Sequence, residues 1–271
     1  MRLVPADSIG LDALSRLFNE AYSDYFVPLR LDRDALEFTV AICDIDLDAS
    51  RVALEDGEPA AFAFLAVREV DGWVGGMGTV PGQRRRGLGE AALTEAIGEG
   101  RRRGLTSVRL EVIDENVPAR ALYEKLGFEA ERRLVVWALD GSPEPAPGAR
   151  PVPEATARAW IAANRPSSEP WQRADPTLEG WFRHGLELEG VVVERDGETR
   201  GALVYRAGEP PGVLQIAAHD ADDAEALLAT VAAGHGGFRL LNAPAEEPAS
   251  QACERLGARA DVRQHEMRLT L

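Results

Sequence analysis

Apolar residues recur along the first half of the chain at periods that alternate between helix and strand. Residues 2–5 read as a short strand. Leu11, Leu14, Leu17 and Phe18 then fall on one helical face, with Asp7 or Ser8 placed to cap it. Leu36, Val40 and Ala41 share the face of a second helix over about residues 33–43. Three strands follow at 51–55, 59–69 and 73–80, with Asp56-Gly57 and Asp71-Gly72 as turn signals between them. A glycine-containing loop opens a helix over about 87–103, and a strand covers 107–113. A helix over about 117–126 stops at Gly127, and a last strand runs to about 139. The order β-α-α-β-β-β-α-β-α-β predicts an α/β fold: a mixed, mostly antiparallel sheet with flanking helices.

The alternating prolines of Asp140-Gly141-Ser142-Pro143-Glu144-Pro145-Ala146-Pro147-Gly148 remove backbone donors and favour extended chain. They predict a linker at 141–150 between two tandem domains, 1–140 and 151–271. The second half echoes the first. Val52 to Glu58 is answered by Val192 to Glu198, each with an Asp-Gly turn, Asn116-Val-Pro-Ala by Asn242-Ala-Pro-Ala, and Glu124-Lys-Leu-Gly127 by Glu254-Arg-Leu-Gly257. Three echoes in one order predict a duplicated domain.

Charge and cysteine usage narrow the function classes. A formal charge of −15 argues against nucleic acid, whose phosphates are held by clustered Lys and Arg. It suits a cationic or amine substrate, but taken alone an ordinary solvated acidic surface is the better explanation. No apolar run is long enough for a membrane span, and Met1 to Pro5 lack a signal-peptide pattern, so the expectation is a soluble, cytoplasmic protein. Cys43 and Cys253 fit no disulfide framework, and His184, His219, His235 and His265 show no ligand spacing, so no metal site is expected.

The candidate chemistry lies in Val80-Pro81-Gly82-Gln83-Arg84-Arg85-Arg86-Gly87-Leu88-Gly89, between a strand and a helix. The first amides of a helix lack intrahelical partners and carry a partial positive charge. Glycines let that backbone approach a ligand, and the arginines add formal charge, which together suit a pyrophosphate. Standing alone, such a loop also describes a solvated basic turn at a helix start. It lacks the Gly-Lys-Ser/Thr of a Walker loop and the third glycine of the dinucleotide fingerprint, where Ala92 stands.

With its context, the segment resembles the GCN5-related N-acetyltransferase superfamily. The resemblance rests on Val80 and Pro81, the loop Arg84 to Gly89, the strand Val108 to Val112, Asn116, and Ala121-Leu122-Tyr123-Glu124-Lys125-Leu126-Gly127-Phe128. It covers about the first 140 residues. It implies that amides from Arg85 through Gly87 and Leu88 to Gly89 hold the pyrophosphate of acetyl-CoA. Thr79 and Val80 would pair with the pantetheine arm, which inserts like an extra strand, and Asn116 would touch it from the opposite strand.

The resemblance also implies Tyr123 as the acid that protonates the departing thiolate. By its residues alone, Tyr123 equally packs against Ala119 and Leu126 on its own helix. Glu111 is the candidate general base, with a water chain, or a plain arginine partnership for Glu111, as the alternatives. Tyr22, Asp24, Tyr25 and Phe26 form either an acidic-edged aromatic pocket for a small-molecule or peptide amine, or a hydrophobic plug.

In the second half, Ala218 to Glu225 replaces the loop with carboxylates and Cys253 stands in the place of Tyr123, so that copy is expected to be degenerate. The expected activity is acetyl transfer from acetyl-CoA to a primary amine by direct attack in a ternary complex. A non-catalytic acyl-CoA-binding regulator is the alternative, and either is compatible with a homo-oligomer.

Overall fold

The structure is a computed structural model and describes residues 1–271. The first series of elements is β1 (Arg2–Pro5), α1 (Leu11–Ala21), α2 (Arg33–Ile42), β2 (Ile45–Glu55), β3 (Glu58–Arg68), β4 (Asp71–Thr79), α3 (Leu88–Arg102), β5 (Ser107–Ile113), α4 (Val117–Lys125) and β6 (Glu129–Asp140). The second repeats it: β7 (Ala149–Val152), α5 (Glu154–Asn164), α6 (Asp175–Arg183), β8 (Glu189–Arg195), β9 (Glu198–Arg206), β10 (Gly212–Ala218), α7 (Ala221–His235), β11 (Gly237–Pro244), α8 (Pro248–Arg255) and β12 (Arg259–Thr270). No helix is long and apolar enough to cross a membrane.

Local chemistry accounts for most boundaries. Asp32 caps α2 by accepting from the amide of Ala35 at 2.8 Å. The β2–β3 turn has φ of 53° at Asp56 and 91° at Gly57, and the β8–β9 turn 53° at Asp196 and 82° at Gly197. Positive φ at both central residues is what a tight hairpin with right-twisted strands requires. Two expectations fail. α1 is preceded by Gly10 in place of a cap at Asp7 or Ser8, because the Ser8 hydroxyl is spent on the carbonyl of Pro5 at 2.6 Å in a preceding 3-10 turn. The β3–β4 turn falls at Glu69 and Val70, and Gly72 lies inside β4, where a Cβ would come within 2.8 Å of Leu105. That glycine serves packing.

By contacts the chain divides into residues 1–131 with 265–271, and residues 132–264. The division differs from a boundary at the proline-rich stretch. β7 already pairs with β8 from Ala149 onward, and each unit takes its last strand mostly from the other half of the sequence. In the first unit the strand order is β1-β2-β3-β4-β5 followed by the end of β12, where the amide of Leu271 donates to the carbonyl of Thr106 at 2.9 Å. In the second it is β6-β11-β10-β9-β8-β7, with β6 antiparallel to β11.

The core of the first unit gathers Leu65 from β3, Leu93 and Ile97 from α3, Leu110 and Val112 from β5, Tyr123 from α4 and Phe128. Met267 and Leu269 of β12 complete it, at 1% and 7% exposure. A strand so buried is structural. Met267→Ala is therefore expected to destabilise the protein by about 2–5 kcal/mol, the usual cost of truncating a buried Met. Chemical denaturation checks this, and a change within about 0.5 kcal/mol, as for a surface substitution, would show that the strand is dispensable.

Candidate active site

The site begins with two strands that part. β4 and β5 pair in parallel only from Asp71↔Ser107 to Trp73↔Arg109, although β4 continues to Thr79 and β5 to Ile113. The cause lies next to the last pair. Val74 faces Leu65 and Gly76 faces Phe64, so Gly75 is a bulged residue with no partner on β3. A bulge bends its strand and sharpens the twist, which carries β4 away from β5. Only glycine fits there, since a Cβ would lie 2.6 Å from the Trp73 ring. Beyond the bend, the amide of Val80 donates to the carbonyl of Ala60 at 2.9 Å. That phase turns the peptide groups of Thr79 and Met77 away from β3 and into the gap.

The loop after β4 leads to an open helix start. Gly87, at φ 78°, precedes α3 without any side-chain cap, so the first amides of the helix, from Leu88 onward, have no capping side chain. A Cβ on Gly87 would meet nothing within 4 Å, which leaves the approach clear. Gly89 faces inward instead: a Cβ there would sit 2.8 Å from the Thr79 hydroxyl oxygen and 3.4 Å from the Met77 methyl. The absence of that atom seats α3 close against the end of β4.

The three arginines divide. Arg84 grips Asp24 with two hydrogen bonds of 2.7 and 2.6 Å and also donates to the carbonyls of Thr79 at 3.2 Å and Ala21 at 3.1 Å. Its guanidinium holds the Asp24 carboxyl below the usual carboxylate range. Arg86 pairs with Glu55 and Gln83. Arg85 is exposed, with φ 64°. Arg84 and Arg86 were expected to add charge at the pyrophosphate seat and are instead engaged in tying the loop to α1 and β2. Asp24 was expected as an acidic edge for an amine and is neutralised by Arg84.

Across the gap, Tyr123 is buried in the first-unit core, and burial, followed by the neighbouring phenols of Tyr22 and Tyr25 and the carboxylate of Glu111, pushes its pKa up. These four candidates are therefore brought together. Glu111 is held by the Trp73 indole, which donates to it at 2.9 Å across the mouth of the gap. The Tyr22 ring stacks on Phe18 at 4.4 Å, and its hydroxyl donates to the gap-facing carbonyl of Met77 at 3.1 Å. Burial raises the pKa of both Tyr22 and Tyr25.

Tyr25 hydrogen-bonds Asn116, whose side-chain oxygen also caps α4 by accepting from Ala119 at 3.3 Å. Phe26 lies outside the cluster, 54% exposed and edge-on to Tyr25. Sequence reasoning missed Trp73 and Arg84 as positioning groups. The signal for Trp73 was a large ring beside a glycine run; for Arg84 there was none, since its partner is 60 residues away.

The Acetyltransferase (GNAT) family model matches residues 11–128. That match covers less than half of the chain. A curated relative of the matched segment is a ribosomal protein bS18-alanine N-acetyltransferase of Escherichia coli (strain K12), 39% identical over 74 residues, which are 27% of this chain and 50% of that enzyme. The chain thus spans half the length of that relative. A GCN5-related N-acetyltransferase from Sphaerobacter thermophilus superposes with a TM-score of 0.73 at 18% identity, covering 99% of this chain and 95% of that one. A tandem GNAT protein from the clavulanic acid biosynthesis pathway gives 0.66 at 16% identity, covering 99% and 98%. At these identities the likeness is one of fold, and it extends through both repeats.

Gly89→Ala is expected to cost about 1–3 kcal/mol, the range for overpacking a tight contact, because its methyl meets the Thr79 hydroxyl. Adding Thr79→Ala should recover most of that loss in a double-mutant cycle followed by thermal melting. An additive pair would place the strain elsewhere.

Proposed function

We propose that the first unit is an acetyl-CoA-dependent N-acetyltransferase acting on a primary amine. The observation that carries the reading is the parted pair β4 and β5, with an uncapped helix start at the end of β4 and a buried tyrosine from the helix after β5. Acetyl-CoA supplies a thioester, an acyl group already activated towards an amine. The amides at the start of α3 suit its pyrophosphate, since they offer several N–H groups and the positive end of the helix to one anion. Gap-facing peptide groups of Met77 and Thr79 suit an extended arm laid along the strand. Their carbonyls already accept from Tyr22 and Arg84, so the N–H groups are the contacts left for an incoming arm.

In the reaction the neutral amine attacks the thioester carbonyl carbon, the C–N bond forms and the C–S bond breaks. The Tyr123 phenol gives its proton to the sulfur and regains one from solvent, while the nitrogen loses its extra proton to Glu111 or to water. A general acid must be in its protonated form and within reach. Burial keeps Tyr123 a phenol, and its neighbours Tyr22, Tyr25 and Glu111 support a role for it on the acceptor side of the gap. The acceptor side is aromatic, and Glu111 is the carboxylate within it that can attract an ammonium group.

Thiol release from acetyl-CoA across a panel of primary amines tests the activity itself. Binding of acetyl-CoA with no turnover on any amine would favour a regulatory acyl-CoA-binding protein. For an active amine, Tyr123→Phe is expected to lower kcat by on the order of 10²–10⁴ with little change in KM. Because the pKa is raised from an ordinary value of ~10, the phenol stays protonated as pH rises, and kcat should show no alkaline loss from Tyr123 between about pH 8 and 10. A loss in that window that disappears in Tyr123→Phe would contradict the raised pKa, whereas unchanged kcat in Tyr123→Phe would overturn the acid assignment.

A further inference from the structure

The second unit has its own parted strands. β10 and β11 pair in parallel only at Gly212↔Arg239 and Val213↔Leu240, although both continue. Val213 faces Tyr205 and Gln215 faces Val204, so Leu214 is bulged immediately after the last parallel pair. The mechanical device of Gly75 is thus repeated: a bulge that swings one strand off its parallel neighbour.

Here the gap holds a side chain. Arg173 is only 1% exposed. Its Nε donates to the carbonyl of the bulged Leu214 at 2.8 Å, and one terminal nitrogen donates to the carbonyls of Leu241 and Asn242 at 3.4 and 3.3 Å. One guanidinium therefore bridges both parted strands. Its other terminal nitrogen pairs with Glu169, itself buried, at 3.1 Å. The segment bearing Arg173 is pinned by Gln215, which donates to the Arg173 carbonyl at 2.8 Å and to Asp175 at 3.0 Å. A buried guanidinium is tolerated only when its charge is paired and its donors are used, and both conditions are met.

The helix start beyond the gap is filled in the same way. Asp220 caps α7 by accepting from the amide of Asp223 at 2.9 Å. Asp223 is fully buried, and its carboxylate accepts from Arg195 at 2.6 Å and Arg200 at 2.9 Å. An anion is already present at the positive end of that helix.

We propose that Arg173 occupies in the second unit the place that the pantetheine arm takes in the first, as an internal strut. It keeps the parted strands β10 and β11 bridged without any ligand and closes this unit to acyl-CoA. The idea of the arm's place rests on the reading of the first unit given above.

Hydrogen exchange on the full chain, with and without acetyl-CoA, tests it. Added acetyl-CoA should slow exchange at residues 76–79 and 88–90 and leave residues 214–217 and 241–244 unchanged, because their strut is already in place. Arg173→Ala should speed exchange at the latter two segments by about tenfold or more without ligand, as local opening becomes easier. Arg173→Lys keeps the charge beside Glu169 but loses the planar fork, and should show the same change where the alanine variant fails to fold. Slowing of residues 214–217 by acetyl-CoA in the unaltered protein would overturn the proposal, as would unaltered exchange in the Arg173 variants. If acetyl-CoA slows exchange nowhere, the reading of the first unit fails, while the variants still decide the role of Arg173.

Discussion

One bend governs the first unit. Gly75 is bulged out of register with β3, and from that point β4 leaves β5, so two neighbouring strands of one sheet expose peptide groups that no strand satisfies. Backbone groups in that position demand a partner. Every other feature of the site is arranged around the opening. Trp73 passes against Gly75 and fixes Glu111 on the far strand, Gly89 lets α3 close on the end of β4, and Arg84 ties the loop to α1 and Asp24. The uncapped start of α3 follows the loop after β4, and the buried Tyr123 lies near Tyr22, Tyr25 and Glu111.

The order of elements was legible because each had its own local signal. Period and capping placed the helices, and Asp-Gly pairs with positive φ placed two hairpins. The candidate loop was legible as well, since Gly87 needs a left-handed φ and Gly89 a close approach, and both are written as residue type. Long-range pairings were not. Nothing local distinguishes β6 from β12, two alternating strands with equivalent places in the repeat, so sequence pattern alone could not show that each serves the other half. The Asn-x-Pro-Ala echo misled for a related reason. Asn116 caps α4, whereas Asn242 lies inside β11 at a register shift, and α8 begins at Pro248 after Glu247. Matching tetrapeptides do not share a place unless the flanking register agrees.

The two units show how one frame can be kept while its chemistry changes. Both part a parallel strand pair at a bulge. In the first, the helix start is bare; in the second, it is capped by Asp220 and carries the buried Asp223 with its arginines. The position of Tyr123 in the first-unit core corresponds to a fully buried Cys253 packed among apolar residues, a side chain whose pKa burial pushes up to about 12. In the second unit Gln264 donates to Asn242 at 2.6 Å; in the first, Met267 and Leu269 pack in the core that holds Tyr123.

The central claim is that the parted strands and open helix start of the first unit, and only those, seat acetyl-CoA. Calorimetric titration of the full chain measures this directly, alongside Gly87→Asp, which forces a side chain onto a left-handed φ and sets a negative charge where the pyrophosphate would lie. The account predicts a single site per chain, abolished by Gly87→Asp in a folded protein. Two equivalent sites, or undiminished affinity in that variant, would contradict it.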